Sequence, residues 1–328
     1  PAVTSIGPLL ETIKKDLNLS NSEVSLLTAI PVICMGLFAP LAVHWLNKFG
    51  QRLGISLLIG VIGTLTLLRA WLHDYVSLLV TAFIIGVAIA IIGPILSSLV
   101  KEKYQTRMAS AIAIYSLGMG AGATLSAGFT GVLYMWIGEQ WEFALAFWSS
   151  LALLAYLVWF VAMKPQHERK VLTEQQQASF RSPWTNRRAW LILLFFGFQA
   201  SLFFSLTTWL ASAASELGFS VIEAGSVISV LTVSQIIANI FIPLLLEKFP
   251  NRSFWIYFSL FVGTLGISLL LTGNVLLIWP ASILLGFTLG GLFPLALLLP
   301  LDETTDAKEA NAWTAMVQTG GFIMGGLV

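Results

Sequence analysis

The sequence predicts an all-α membrane protein made of two related helical bundles. Three observations carry that prediction: long apolar runs, an internal repeat at an offset of 200 residues, and basic residues gathered on alternate loops. The chain has 328 residues, of which 57% are hydrophobic and 10% charged. A soluble domain carries about 25% charged residues. Mean hydropathy is +0.86. Residues 253–301, 108–138 and 24–46 hold no Asp, Glu, Lys or Arg. A membrane span needs about 20 apolar residues, because the hydrocarbon core is about 30 Å thick. Backbone in lipid must bond to itself, so such runs become helices. Strand-like alternation, the mark of a barrel, is absent from the sequence.

The repeat is read next, because it sets the architecture. DLNLSNSEV at 16–24 returns as ELGFSVIEA at 216–224, matching at Leu17/Leu217, Ser20/Ser220 and Glu23/Glu223. NKFGQR at 47–52 returns as EKFPNR at 247–252. Gly86 and Pro94 return as Gly286 and Pro294. Parallel repeats of this kind are related by an axis along the membrane normal and are typical of transporters.

The predicted spans follow in order. Span 1 covers 1–13, with the chain opening inside it. Spans 2 and 3 cover 22–46 and 53–72. Spans 4 and 5 cover 75–100 and 107–136, and span 6 covers 142–163. The polar stretch 164–186 holds Lys164, Arg169, Lys170, Arg181 and TEQQQ, and separates the two halves. Span 7 covers 187–214, span 8 covers 222–246, span 9 covers 253–272 and span 10 covers 275–300. Span 11 begins near 308 and reaches the end of the chain, so the repeat predicts a twelfth span beyond it. The expected division is an N-terminal bundle at 1–163, a cytoplasmic linker at 164–186 and a C-terminal bundle at 187–328. Of the 17 Lys and Arg residues, all but Lys14, Lys15 and Arg69 fall in 47–52, 101–107, 164–188, 248–252 or at 308. These segments alternate to one side, which the positive-inside rule makes cytoplasmic.

Cys34 is the only cysteine, so no intrachain disulfide forms. The net charge of +1 gives no footprint for nucleic acid. Nothing in the residues calls for a cofactor or metal. His44, His73 and His167 are scattered, and no carboxylate pair falls within a span, which argues against an enzyme.

The segment after span 2 carries a family resemblance. Val43-His44-Trp45-Leu46-Asn47-Lys48-Phe49-Gly50-Gln51-Arg52 resembles the Gly-x-x-x-Asp-Arg-x-Gly-Arg loop of the major facilitator superfamily. Asn47 replaces the acid and Lys48 the arginine, while Gly50 and a terminal basic residue remain. The second copy keeps the acid as Glu247 but has Pro250 at the glycine. The resemblance implies gating by Asn47, Lys48, Arg52, Glu247, Lys248 and Arg252; the plainer reading is positive-inside anchoring. Pro1-Ala2-Val3-Thr4-Ser5-Ile6-Gly7-Pro8-Leu9-Leu10 is similar to span 1 of the cyanate permease and 2-nitroimidazole exporter family. Leu26 to Pro31 and Gly290-Gly291-Leu292-Phe293-Pro294-Leu295 support it. The resemblance implies a secondary transporter of a small polar or aromatic solute, a multi-pass monomer of a bacterial inner membrane whose partners are the solute and the bilayer. A receptor or scaffold without flux is the alternative, and a membrane-embedded enzyme is a third reading.

Seven residues are candidates for contact with the solute. Thr4, Tyr115, Gln199, Trp209, Gln235 and Gln318 are expected along a central cavity. Arg69 is charged within a span, at about 25 Å from the start of its helix at about 1.5 Å per residue. Such a charge marks a functional site by default; the competing reading is a side chain that snorkels to the outer interface. Gln235 and Asn239 are four apart and share a helix face, where amides also serve as helix–helix glue. Phe195, Phe196, Phe198, Phe203 and Trp313 suit stacking on a flat solute. Gly118, Gly120 and Gly122, with Gly320, Gly321 and Gly325, are expected to permit close helix approach.

Overall fold

A computed structural model describes residues 1–162, 182–219 and 221–327. Twelve α-helices are found among them: α1 (Leu10–Asp16), α2 (Asn21–Leu37), α3 (Leu41–Leu68), α4 (Tyr75–Lys103), α5 (Met108–Trp136), α6 (Trp141–Ala146), α7 (Ser149–Ala162), α8 (Arg187–Glu216), α9 (Val221–Lys248), α10 (Arg252–Leu270), α11 (Ile278–Asp302) and α12 (Ala307–Gly326). No strand occurs among the described residues. Eight helical segments are long and apolar enough to cross a membrane, and Asn21–Leu37 is apolar but shorter. Most of the expected linker falls outside the described residues. Within it, Pro183–Thr185 form a 3-10 turn that leads into α8.

Three predicted spans and one predicted loop depart from the expected form. Span 1 is a series of turns, a 3-10 turn at Gly7–Leu9 and the short α1. Gly7-Pro8 explains this, since proline supplies no N–H and favours the first turn of a helix. Span 2 is broken between α2 and α3 at residues 38–40. Pro40 cannot donate to the carbonyl four residues earlier, and its ring crowds that carbonyl. The expected loop at 47–52 lies within α3, where Gly50 turns the chain at φ 67° and ψ 178°. That region of backbone space is essentially open to glycine alone. In the second copy, Pro250 stands between α9 and α10 and ends α9 outright. One reversal is thus made by a glycine and the other by a proline. Span 6 is split into α6 and α7 at residues 147–148.

The repeat survives in packing. A Cβ added at Gly86 would meet the Cα of Pro31 at 2.7 Å and the Cβ of Cys34 at 2.9 Å. A Cβ added at Gly286 would meet the carbonyl oxygen of Leu231 at 2.2 Å and the Cβ of Ser234 at 2.9 Å. Both glycines bring two helices together at partners 200 residues apart. Ser20 and Glu23 form a capping box at the start of α2, with Glu23 accepting from the Ser20 amide at 2.8 Å. This satisfies orphan amides of the helix end. It explains why the first copy carries both residues; Ser220 lies outside the described residues.

The two halves meet at one end. We call the end where α7 stops and α8 starts the linker end. One core cluster there joins Val100, Ala109 and Ile112 of the first half to Ile242, Leu246, Leu298 and Trp313 of the second. At the far end the cores are separate. Ile6, Leu27, Leu78, Leu133 and Trp141 pack within the first half. Leu206, Leu210, Leu231 and Ile278 pack within the second. Lipid tails are as apolar as leucine, so close fit rather than water exclusion holds such helices together. Gly320, Gly321 and Gly325 serve this purpose, facing Leu193, Phe196 and Phe204 of α8. Gly118 and Gly120 do not: a Cβ there would meet nothing within 4 Å, and Gly122 faces only Pro1.

Candidate solute-binding cavity

A cavity of about 190 Å³ lies between the halves. Its wall comes from α2, α4 and α5 on one side and α8, α11 and α12 on the other. Phe196, Phe293 and Phe322 form an aromatic group: the Phe196 ring is 6.3 Å from that of Phe293 and 5.4 Å from that of Phe322. Phe196 and Phe322 meet edge to face, the arrangement favoured by ring quadrupoles. Met35 and Met119 add flexible apolar surface. Tyr115 and Gln318 also line the cavity. Neither side chain has a hydrogen-bond partner among the described residues. Their hydroxyl and amide are therefore available to a ligand.

Local sequence explains the placement. Gln318 and Phe322 are four apart on α12 and share a face. Gly93 on α4 leaves room for the amide: a Cβ there would lie 2.9 Å from Gln318 Oε1. Gly321 does the same for Phe196, whose ring a Cβ would meet at 2.0 Å. Of the lining residues, Tyr115, Phe196 and Gln318 were expected near a solute, and Met35, Gly93 and Phe322 were not. The neighbouring Pro94 and the spacing of Gln318 and Phe322 were the available signals.

The other candidates lie elsewhere. Thr4 Oγ1 is 2.5 Å from Ser126 Oγ, tying the start of the chain to α5. Gln199 is buried on α8 and makes no side-chain hydrogen bond among the described residues. It lies three residues from Phe196, so the two share a helix face, but it does not line the cavity. Trp209 is 60% exposed. Gln235 is half-buried, and its backbone carbonyl is what a Cβ at Gly290 would strike, at 2.1 Å. Asn239, its neighbour on that face, accepts from Ser116 Oγ at 2.6 Å and so joins α5 to α9.

Arg69 is 1% exposed, so it does not snorkel to an interface. It donates through one NH group to the Ala2 carbonyl at 2.9 Å and through Nε to Thr81 Oγ1 at 3.3 Å. No carboxylate pairs with it among the described residues. Asp74 instead caps α4 through the Ser77 amide at 2.8 Å and the Ser77 hydroxyl. The Ser77 hydroxyl, then its amide, hold the Asp74 carboxyl below the usual aspartate range. The arginine pins the irregular start of the chain to α4, and its remaining N–H groups have no protein acceptor among the described residues.

The expected gating residues sit at the linker end. Glu247 of α9 accepts from the Ser110 amide at 3.3 Å and the Ser110 hydroxyl at 2.5 Å. This carboxylate caps the first turn of α5 across the two halves, where the helix dipole favours negative charge. Its counterpart Asn47 is exposed and carries no charge. Lys48 is exposed, with Nζ 5.3 Å from the Phe49 ring. Lys248 is exposed. Arg252 pairs with Asp302 at 2.8 Å, within the second half. The matching place in the first half is taken by Gln51, which donates to Glu102 at 2.6 Å, while Arg52 itself accepts through its carbonyl from Ser56 and Trp159. Lys101 Nζ donates to the Leu301 carbonyl at 2.6 Å, a third link between halves beside Ser110–Glu247 and Ser116–Asn239. Arg188 pairs with Glu303 at 2.8 Å.

Comparison with known proteins places this geometry. The Major Facilitator Superfamily profile matches residues 2–326. The uncharacterized transporter YycB of Bacillus subtilis (strain 168) is 30% identical, covering 99% of this chain and 80% of the relative. The cyanate transport protein CynX of Escherichia coli (strain K12) is 30% identical, covering 100% and 84%. The 2-nitroimidazole transporter of the same organism is 26% identical, covering 98% and 81%. Among solved structures, the major facilitator transporter FucP in the outward conformation superposes with a TM-score of 0.75 at 14% identity, over 98% of this chain and 88% of FucP. The proton:xylose symporter XylE gives 0.70 at 13% identity, over 99% and 83%. The fold, the cavity between two halves and these similarities agree: the chain belongs to the Major Facilitator Superfamily.

Proposed function

We propose that the protein is a secondary transporter that moves a small, flat, weakly polar solute through the cavity between its halves by alternating access. The observation that carries this reading is the pair of unpartnered groups, Tyr115 and Gln318, set in a wall of phenylalanines. Three rings offer stacking faces and edges, and one hydroxyl and one amide can fix orientation. The cavity is smaller than the about 300–1,000 Å³ of drug-sized sites, which favours a small solute. The relative named for 2-nitroimidazole transport fits a flat solute; the one named for cyanate transport points to a small linear anion and fits by size alone. We read the bundles as 1–163 and 187–328, joined by 164–186. The linker end faces the cytoplasm of a bacterial inner membrane on this reading, because the basic loops gather there.

The halves are joined at the linker end by the Lys101–Leu301 and Ser110–Glu247 bonds, and their far-end cores are separate. On the proposed topology this is a state closed to the cytoplasm. The test is a thermal-shift screen of the purified protein with cyanate, 2-nitroimidazole and small carboxylates. A solute that binds the folded state raises Tm. The reading expects a rise for at least one flat solute, lost in the double variant Tyr115→Phe/Gln318→Leu. A shift of equal size in that variant would remove this cavity from the site.

A further inference from the structure

The stripe of α12 that carries Gln318 and Phe322 continues toward the linker end through Thr314 and Asn311. Asn311 is 0% exposed, and neither its amide nitrogen nor its carbonyl oxygen has a hydrogen-bond partner among the described residues. Thr314 Oγ1 and Ser97 Oγ are likewise buried without a partner among the described residues. Buried polar groups are nearly always hydrogen-bonded, and an unmet group costs more than an apolar side chain of the same shape. Three such residues below one cavity therefore need a reason.

The helix register brings them together. Gly93 of α4 faces Gln318 of α12, and Lys101 near the end of α4 meets Leu301 just ahead of the start of α12, so the two helices run antiparallel. One turn along from Gly93 is Ser97; one turn back from Gln318 is Thr314. These two fall level with each other, and Asn311 falls level with Val100 and Lys101. Gly320, Gly321 and Gly325 of α12 pack on α8, and Gly325 shares the stripe of Gln318 and Phe322. The polar stripe therefore runs along the border between α4 of the first half and α8 of the second, on the linker side of the cavity. Lys101 closes it with its bond to the Leu301 carbonyl across the halves.

We infer that Asn311, Thr314 and Ser97 line the linker-side half of the solute path. They are sealed in this state and become exposed when the halves part at the linker end. Their ligand is the class of solute assigned to the cavity: small, with hydrogen-bonding groups that replace the missing partners as it leaves Gln318. This rests on the alternating-access reading above.

The test uses the full chain with Cys34→Ser, reconstituted in vesicles, and a small charged methanethiosulfonate. Asn311→Cys is expected to react slowly, and at least tenfold faster once Glu247→Ala removes the Ser110 link across the halves. Reaction is expected only from the linker side. Lys48→Cys, on the exposed surface, is the positive control. An Asn311→Cys thiol that stays unreactive in both backgrounds, while Lys48→Cys reacts, overturns the inference. Asn311→Leu supplies a second readout. If the side chain serves the path, Tm rises and 2-nitroimidazole flux falls at least tenfold. If it serves structure, Tm falls, and the inference is wrong. Wild-type flux with an unreactive Asn311→Cys would sink this inference alone. Reactivity without 2-nitroimidazole flux would leave the path standing and reject that solute.

Discussion

At the residue scale, two polar side chains, Tyr115 and Gln318, face the cavity with no partner among the described residues. Gln318→Leu and Tyr115→Phe each remove one hydrogen bond to a solute. Such a bond is worth about 1 kcal/mol net, so affinity is expected to fall about fivefold for each. Tm is expected to hold or rise, because neither group has a partner to lose. A titration of solute against Tm measures both at once; a large fall in Tm would show that the groups are structural. Gly93→Ala is a sharper probe. Its Cβ would press on Gln318 Oε1 at 2.9 Å, so transport is expected to fall while Gly60→Ala, where a Cβ meets nothing within 4 Å, leaves flux unchanged. Arg69 is tested by its geometry. Arg69→Lys keeps the charge but loses the planar fork that reaches both Ala2 and Thr81. Flux of Arg69→Lys is expected to match the loss in Arg69→Ala, and normal flux in the lysine variant would reduce Arg69 to a plain positive charge. Tyr115 and Gln318 were legible because polar residues in apolar spans are rare. Gly93 and Phe322 were not, because a glycine that makes room and a phenylalanine among 22 acquire meaning only from their neighbours.

At the scale of elements, hydropathy located the spans and proline and glycine decided their shape. Spans 4, 5, 7, 8, 9, 10 and 11 match α4, α5, α8, α9, α10, α11 and α12 within a few residues. The break at 38–40 was hidden, because an apolar run reads as one helix whether or not Pro40 interrupts it. The same holds for span 1, where Gly7-Pro8 outweighs hydropathy. Gly50 gives the clearest element-scale prediction. Its φ of 67° with ψ of 178° costs a residue with a side chain about 1–3 kcal/mol. Gly50→Ala is expected to lower stability by that order in a denaturation series. Pro250→Ala, which removes a helix stop without forcing strain, is expected to cost less. Equal costs would mean that the turn at Gly50 is not built as described.

At the scale of the whole molecule, the sequence showed the duplication and the one-sided charge, and both have structural counterparts. Gly86 and Gly286 make equivalent contacts, and the basic loops lie at the end where the halves join. The state of the molecule was not legible. On the proposed alternating-access reading one sequence encodes both a sealed and an opened arrangement, so hydropathy and charge counts carry no mark of which is populated. The contacts do: Ser110 with Glu247 and Lys101 with Leu301 bind the halves at the linker end. Asn47 shows the same limit, since its loss of charge became informative only once Glu247 was seen to hold the bond. The measurement that tests this most directly is 2-nitroimidazole flux in vesicles with Ser110→Cys and Glu247→Cys in a Cys34→Ser background. A short, reducible bis-thiol cross-linker, which makes up the length lost from the glutamate side chain, joins the two thiols and fixes the linker end shut. Flux is expected to stop on cross-linking and return on reduction; full flux through the joined protein would contradict alternating access by parting of the halves at this end.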